Sequence, residues 1–234
     1  MAMDGFAATA ITAVTAQNTL GVHEVFALPA SIVRRQIAVV LDDIGADAIK
    51  TGMLGGAEIV AAVADEIERR ALSVPLVVDP VMVAKGGTPL LADAAIATLR
   101  QRLLPLATLV TPNIPEAEAL LGRPIDDPVA AAIDLRRYAP SVLLKGGHGD
   151  GGTVVDILAH PHGVERIERR RIETRHTHGT GCTLASAIAA GLAQGMPLLD
   201  AVVRARDYVQ AAIAAAPGFG TGHGPLNHNV RQFP

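Results

Sequence analysis

Short runs of β-branched and aliphatic residues alternate along this chain with longer amphipathic stretches, a rhythm that fits a parallel sheet with helices on its faces. The strand-like runs are Ala10–Thr15, Ala46–Lys50, Leu76–Asp79, Ala107–Thr111 and Ser141–Lys145. Between them Ser31–Asp43, Ala57–Arg70, Asp93–Leu104, Pro115–Leu121 and Pro128–Tyr138 space their apolar residues by three and four, with charges opposite, and are predicted helices. After Lys145 the rhythm changes. GGHGDGGTVVDILAH and GVERIERRRIET read as glycine-hinged strands pairing antiparallel at one edge of the sheet. Two helices, Thr180–Gln194 and Leu198–Ala215, precede a tail rich in Gly and Pro. With no linker or repeat, residues 1–234 read as one domain.

Composition narrows the function. Half of the 234 residues are apolar but only 3% are aromatic, so the core must be built from Ala, Val, Leu and Ile. A net charge of −3 and the scarcity of aromatic residues argue against a nucleic-acid partner. The single cysteine, Cys182, excludes an internal disulfide framework and points to a reducing cytoplasm. The first basic residue is Arg34, so a secretory leader is not expected, and no apolar run approaches the ~20 residues of a bilayer span.

Ligands of open parallel sheets bind beyond the carboxyl ends of the strands, so the residues that follow each strand matter most. The first strand runs into Gln17-Asn18-Thr19, the second into Lys50-Thr51-Gly52-Met53 and the third into Asp79-Pro80-Val81-Met82. The fourth opens onto Thr111-Pro112-Asn113 with Glu116 following, and the fifth ends at Lys145-Gly146-Gly147-His148. Turn chemistry alone accounts for Asn18 and Pro112. It does not account for a lysine and two carboxylates on one rim, which suit a metal and phosphates.

Gly179-Thr180-Gly181-Cys182 stands just before the apolar run LASAIAAGLA and should form the first turn of a helix. Such a turn presents unpaired N–H groups and about half a positive charge, a ready anion site, although Thr180 as a plain helix cap is the simpler alternative. Cys182 would sit in that turn, where the helix terminus should favour thiolate over the ordinary thiol of pKa roughly 8.5. It is therefore a candidate base or nucleophile; a buried small hydrophobe is the other reading.

Other motifs fail on context. Gly147–Gly152 has the spacing of a dinucleotide fingerprint, but a strand-like run follows it where a helix is required. No Walker-type phosphate loop occurs. His176 and His178 lack further ligands for zinc, and Glu165–Arg175 reads as a solvated edge ribbon.

Taken together, TAQNT at 15–19, KTGML at 50–54, DPVMVAKGG at 79–87, TPNIPEAEAL at 111–120, KGGHG at 145–149, HGTGCTLASAIAAGL at 178–192 and GHGPLNH at 222–228 resemble the hydroxymethylpyrimidine and phosphomethylpyrimidine kinases of thiamine biosynthesis, in the ribokinase superfamily. A cysteine in GTGC, where most ribokinase relatives carry an acidic base, favours these kinases and their pyridoxal-kinase relatives.

The resemblance implies a three-layer α/β/α fold with a mostly parallel central sheet. It also implies ATP-dependent phosphorylation of 4-amino-5-hydroxymethyl-2-methylpyrimidine, then of its monophosphate to the diphosphate. By motif, Gln17 would bind the aminopyrimidine, and Met53 and Val81 would pack on the ring. Asp79, Glu116 and Asn113 would organise Mg²⁺, while Lys145 and Thr180 would serve ATP. Gly179, Thr180, Gly181 and Cys182 would hold the transferring phosphoryl group, with Cys182 nearest the attacking oxygen. Relatives are commonly homodimers, and the same is expected here. The alternatives are a pyridoxine or pyridoxal kinase and a catalytically silent pyrimidine-binding protein. The family's first strand, Gly-rich turn and substrate-contacting Asp have no counterpart before residue 1, which predicts a sheet lacking a central strand, an incomplete ring pocket, and poor solubility or weak activity.

Overall fold

The computed structural model describes residues 2–82, 93–147 and 151–230. A six-stranded sheet runs in the order β3 (Ile49–Thr51), β4 (Leu76–Val78), β5 (Leu109–Val110), β6 (Val142–Leu144), β7 (Thr153–His160), β8 (Gly163–Arg170). The first four strands are parallel, with Ile49 opposite Leu76, Val77 opposite Leu109 and Val110 opposite Val142. Strands β7 and β8 join antiparallel and form the expected edge hairpin.

Because strand side chains alternate, the short central strands β4, β5 and β6 each feed two cores. Leu76, Val78, Val110, Val142 and Leu144 face one layer with α1 (Ala30–Asp43), α2 (Ala57–Arg69), α3 (Asp93–Thr98), α4 (Ile114–Leu121) and α5 (Pro128–Leu135). Val77, Leu109, Leu143 and Leu158 face the other, beneath α6 (Thr180–Ala193) and α7 (Leu198–Ala214). The strands are thus apolar on both faces, as a sheet covered by helices requires. This is the three-layer α/β/α arrangement, with aliphatic side chains filling both cores.

Three expectations change. The run at Ala10–Thr15 does not enter the sheet: β1 (Ala13–Gln17) pairs antiparallel with β2 (Val22–Ala27), unforeseen as a strand, in a separate ribbon. The reason is the turn between them, where Asn18 Oδ1 accepts the amides of Leu20 at 2.9 Å and Gly21 at 3.3 Å and folds the chain back on itself. Next, β2 adds a strand that the periodicity did not single out, while β3 to β8 form one continuous ladder with β3 and β8 at its edges. Finally, the helix expected over Asp93–Leu104 is α-helical only to Thr98; a π turn (Leu99–Leu103) and a 3-10 turn (Leu104–Leu106) follow as the chain meets Pro105, which cannot donate to a helical ladder.

Leu143 is fully buried at the centre of the α6/α7 core. Leu143→Ala is expected to lower the unfolding free energy by about 2–5 kcal/mol in urea titration; a loss under about 1 kcal/mol would mean that this core repacks freely.

Candidate active site

The ends of β3, β4 and β6 meet the first turn of α6. Asp79, 1% exposed, follows β4 immediately. Its Oδ1 accepts from Lys145 Nζ at 2.8 Å and from Thr111 Oγ1 at 3.2 Å. Its Oδ2 is buried with no hydrogen-bond partner among the described residues. Lys145 extends β6 beside Asn113, its amide donating to Pro112 O at 2.8 Å. Lys145 Nζ also lies 3.8 Å from Glu116 Oε2.

Glu116 is held by a capping box that starts α4. Asn113 Oδ1 accepts from the Glu116 amide at 2.9 Å, and Glu116 Oε2 accepts from the Asn113 amide at 2.8 Å. Asn113 therefore spends its side-chain oxygen on orienting Glu116. Burial raises the Glu116 pKa, with Lys145 and the Asn113 amide opposing. For Lys145 burial works against the charge, yet Asp79 and Glu116 outweigh it and raise the pKa, so the ammonium persists.

Opposite stands the glycine turn. Gly179, at φ +84°, takes the left-handed conformation open to glycine, and no side chain caps the helix it begins. Thr180 Oγ1 instead donates to Thr177 O at 3.2 Å. The amides that head α6 thus have no intrahelical acceptor. A Cβ on Gly181 would come within 3.3 Å of Lys145 Nζ and 3.8 Å of Asp79 Oδ2, so the amide cluster, the lysine and the carboxylate share one site.

Cys182 in this turn departs from expectation. Although its surface is solvent-accessible, desolvation by the surrounding protein pushes its pKa up; Lys50 and Lys145 pull it down, and Asp79 pushes it up further. The helix terminus does not prevail, and the resting group is a thiol.

The ring-binding candidates lie to one side. Val81 lines a small apolar cleft with Gly52, Leu54, Val60, Val78 and Leu99. Met53 stands between two of those residues in sequence, and its carbonyl accepts from Thr12 Oγ1 at 2.7 Å, tethering the β1–β2 ribbon to the sheet. Gln17 is exposed on that ribbon, and no hydrogen bond among the described residues joins its side chain to Lys145, Asp79 or Glu116. The ribbon tip is clasped by residues 218–228. The His223 amide donates to Thr19 O at 2.7 Å, and Gly220 and Gly222 pack so tightly on Thr19 that a side chain on either would collide with it. The 83–87 part of the DPVMVAKGG motif and residues 148–150, with His148 and the centre of the glycine-rich 147–152 run, lie outside the described residues.

Two features escaped the sequence reading as site residues. Lys50 Nζ folds to within 2.7 Å of where a Gly52 Cβ would stand; the lysine beside a strand-end glycine was its signal. Asp156, 0% exposed on β7, accepts the Gly146 amide at 2.9 Å and pairs with Arg206 of α7, Nε to Oδ2 at 2.7 Å. Its signal was a lone acid in the apolar run TVVDILA. A Cβ at Gly146 would collide with the Val155 carbonyl, so the chain after Lys145 passes tightly over β7 and is fixed there by a carboxylate.

Comparison with known proteins decides the family. The sequence profile described as phosphomethylpyrimidine kinase matches residues 1–227. The chain belongs to the phosphomethylpyrimidine kinase family. It is 45% identical over 231 residues to the hydroxymethylpyrimidine/phosphomethylpyrimidine kinase of Haemophilus influenzae, covering 95% of this chain and 86% of that protein. With the thiamine biosynthesis bifunctional protein ThiED of Geobacter sulfurreducens it shares 48% identity over 97% of this chain, which spans 47% of that longer protein. Among solved structures, the phosphomethylpyrimidine kinase of Clostridium difficile 630 superposes with a TM-score of 0.79 at 38% identity, covering 91% of this chain and 88% of that one. The pyridoxal kinase of Staphylococcus aureus in complex with AMP-PCP and pyridoxal gives 0.88 at 31%, covering 99% and 85%. As a phosphomethylpyrimidine kinase family member the chain has the ribokinase-like fold, and kinase activity implies use of ATP.

Asp156→Ala would leave Arg206 buried without its partner and free the Gly146 amide. A loss of about 3–5 kcal/mol in urea unfolding is expected, with Asp156→Leu combined with Arg206→Met recovering much of it. No recovery in the double variant would show that the carboxylate matters for more than compensating Arg206.

Proposed function

We infer that this protein is a hydroxymethylpyrimidine/phosphomethylpyrimidine kinase of thiamine biosynthesis. It phosphorylates 4-amino-5-hydroxymethyl-2-methylpyrimidine with ATP and then converts the monophosphate to the diphosphate. The family match and its similarity to curated kinases of that name support this reading. The observation that carries the mechanism is the convergence of Lys145, Asp79 and the α6 amides.

Phosphoryl transfer asks a protein mainly for alignment and charge stabilisation. The free amides of the Gly179–Cys182 turn receive the equatorial oxygens of the phosphoryl group in flight, while Thr180, whose amide and hydroxyl both donate to Thr177 O, shapes the turn, and Lys145 offsets the charge on the nucleotide side. Asp79 Oδ2, buried and unpartnered, is a ligand oxygen in want of a cation, which fits Mg²⁺. Asp79 and Glu116 would hold it, Asn113 fixing Glu116. Among the described residues no group of three or more acidic, His or Cys side chains forms a complete cage; Mg²⁺ characteristically completes its shell with water and phosphate and neutralises the latter. Met53 and Val81 support the ring and Gln17 reaches it from the ribbon, its amide supplying both a donor and an acceptor.

In the first phosphorylation the hydroxymethyl oxygen bonds to the γ-phosphorus, the bond from that phosphorus to the β–γ bridging oxygen breaks, and the hydroxyl proton passes to the Cys182 thiolate. A raised thiol pKa means that the thiolate must form by loss of a proton, so its fraction grows as pH rises. Turnover of the hydroxymethyl substrate is therefore expected to climb with pH into and beyond the ordinary cysteine range. Cys182→Ser should reduce kcat by about 10²-fold or more and flatten that limb, with unchanged circular dichroism. Near-normal kinetics in Cys182→Ser would remove the thiol from the mechanism.

A pyridoxal kinase is the second reading, favoured by the higher TM-score to the Staphylococcus aureus enzyme. Sequence identity favours the pyrimidine kinase, and ADP release with each ring separates the two; ligand binding without ADP would indicate a silent binding protein. Val14 and Phe26, cross-strand neighbours and exposed on the ribbon, support a homodimer. No helix among the described residues is long and apolar enough to cross a membrane, and a lone cysteine suits the cytoplasm.

A further inference from the structure

The two phosphorylations make different demands on one site. An alcohol arrives neutral and must lose a proton. A phosphate monoester, whose second pKa is about 6, arrives largely as a dianion with no proton to lose, and must approach the already anionic triphosphate. In this second reaction a non-bridging oxygen of the acceptor phosphate bonds to the γ-phosphorus, the bond to the β–γ bridging oxygen breaks, ADP leaves with that electron pair, and no proton moves. The second reaction therefore needs an additional positive charge on the acceptor side.

Lys145 is poorly placed to supply it. Its ammonium is committed to Asp79 at 2.8 Å and faces Glu116 at 3.8 Å, so the three groups together carry net negative charge. Lys50 is different. No ion pair or hydrogen bond of its side chain occurs among the described residues. It is half-buried on β3 and folds back over Gly52, at the same strand exit that leads to Met53. That exit is fastened to Asp79, whose amide donates to Thr51 O at 3.0 Å. Lys50 is also the cation that acts most strongly on the Cys182 thiol, ahead of Lys145. One lysine thus sits among the carboxylates, and the other, without an ion pair among the described residues, lies on the strand that packs against α6, whose first turn carries Cys182.

We propose that Lys50 is the binding residue for the phosphate of the monophosphate acceptor, holding it beside the Gly181–Cys182 turn during the second phosphorylation. The assignment rests on the pyrimidine-kinase reading and deepens it: Cys182 serves the acceptor that must shed a proton, and Lys50 the acceptor that brings charge.

The test compares Lys50→Gln, Lys50→Arg and Cys182→Ser with the unmodified enzyme, measuring steady-state kinetics on hydroxymethylpyrimidine and on its monophosphate and, by calorimetry, the Kd of each. Lys50→Gln is expected to weaken the monophosphate about tenfold or more in KM and Kd while changing those of the alcohol by less than about threefold, with Lys50→Arg restoring much of the loss. Cys182→Ser should show the opposite selectivity. Equal loss on both acceptors in Lys50→Gln, or none on the monophosphate, would overturn the assignment while leaving the kinase reading intact. Failure of the unmodified enzyme to turn over either acceptor would overturn the kinase reading, and the assignment with it.

Discussion

A buried ammonium held between two carboxylates is the joint on which this molecule's site depends. Lys145 reaches from the end of β6 to Asp79 at the end of β4 and toward Glu116 at the head of α4, so one side chain fixes the relative positions of three separate segments. An ion pair so placed does not earn its keep in stability, because desolvating both partners offsets much of their attraction. What it provides is geometry. The strand ends are pinned within reach of the α6 amides, and Asp79 Oδ2 faces that turn, buried and without a hydrogen bond of good geometry among the described residues.

The packing beneath explains how such short strands hold that geometry. Strands of two and three residues have few ladder bonds, yet β4, β5 and β6 each place apolar side chains into both cores. Where the ladder gives out after Lys145, a side chain replaces it: the Asp156 carboxylate takes the Gly146 amide and accepts from Arg206 of α7, although burial still raises the Asp156 pKa. The polar site is thus carried on a scaffold that is itself hydrophobic on both faces.

Much of this was legible in the sequence. The β/α rhythm placed the parallel strands and the antiparallel edge, since a short unbroken apolar run bounded by turn residues marks a strand buried on both faces and depends little on distant context. GTGC before an Ala-rich run marked the α6 turn, and polar residues after successive strands marked the rim. Other features depend on contacts made only in the folded chain. Ala10–Thr15 has a strand's composition, but its partner is set by the Asn18 turn and not by the sheet. The Cys182 thiol was expected to be acidified by a helix terminus, whereas the protein crowding around it raises its pKa. Lys50 was visible only as one of several rim residues, because whether a lysine is paired or unpaired is a property of its neighbours in space.

The clasp on the ribbon tip has a consequence for how the molecule comes together. Thr19 is gripped by Gly220, Gly222 and His223, a contact spanning 203 positions of chain at Gly222. Closing so long a loop is entropically costly unless the intervening elements have already drawn its ends together. The clasp joins the ribbon near the start of the chain to residues 220–223, so it closes only after the sheet-forming segments between them have been made, and a chain interrupted during synthesis can own a nearly finished sheet with the ribbon tip still unclasped.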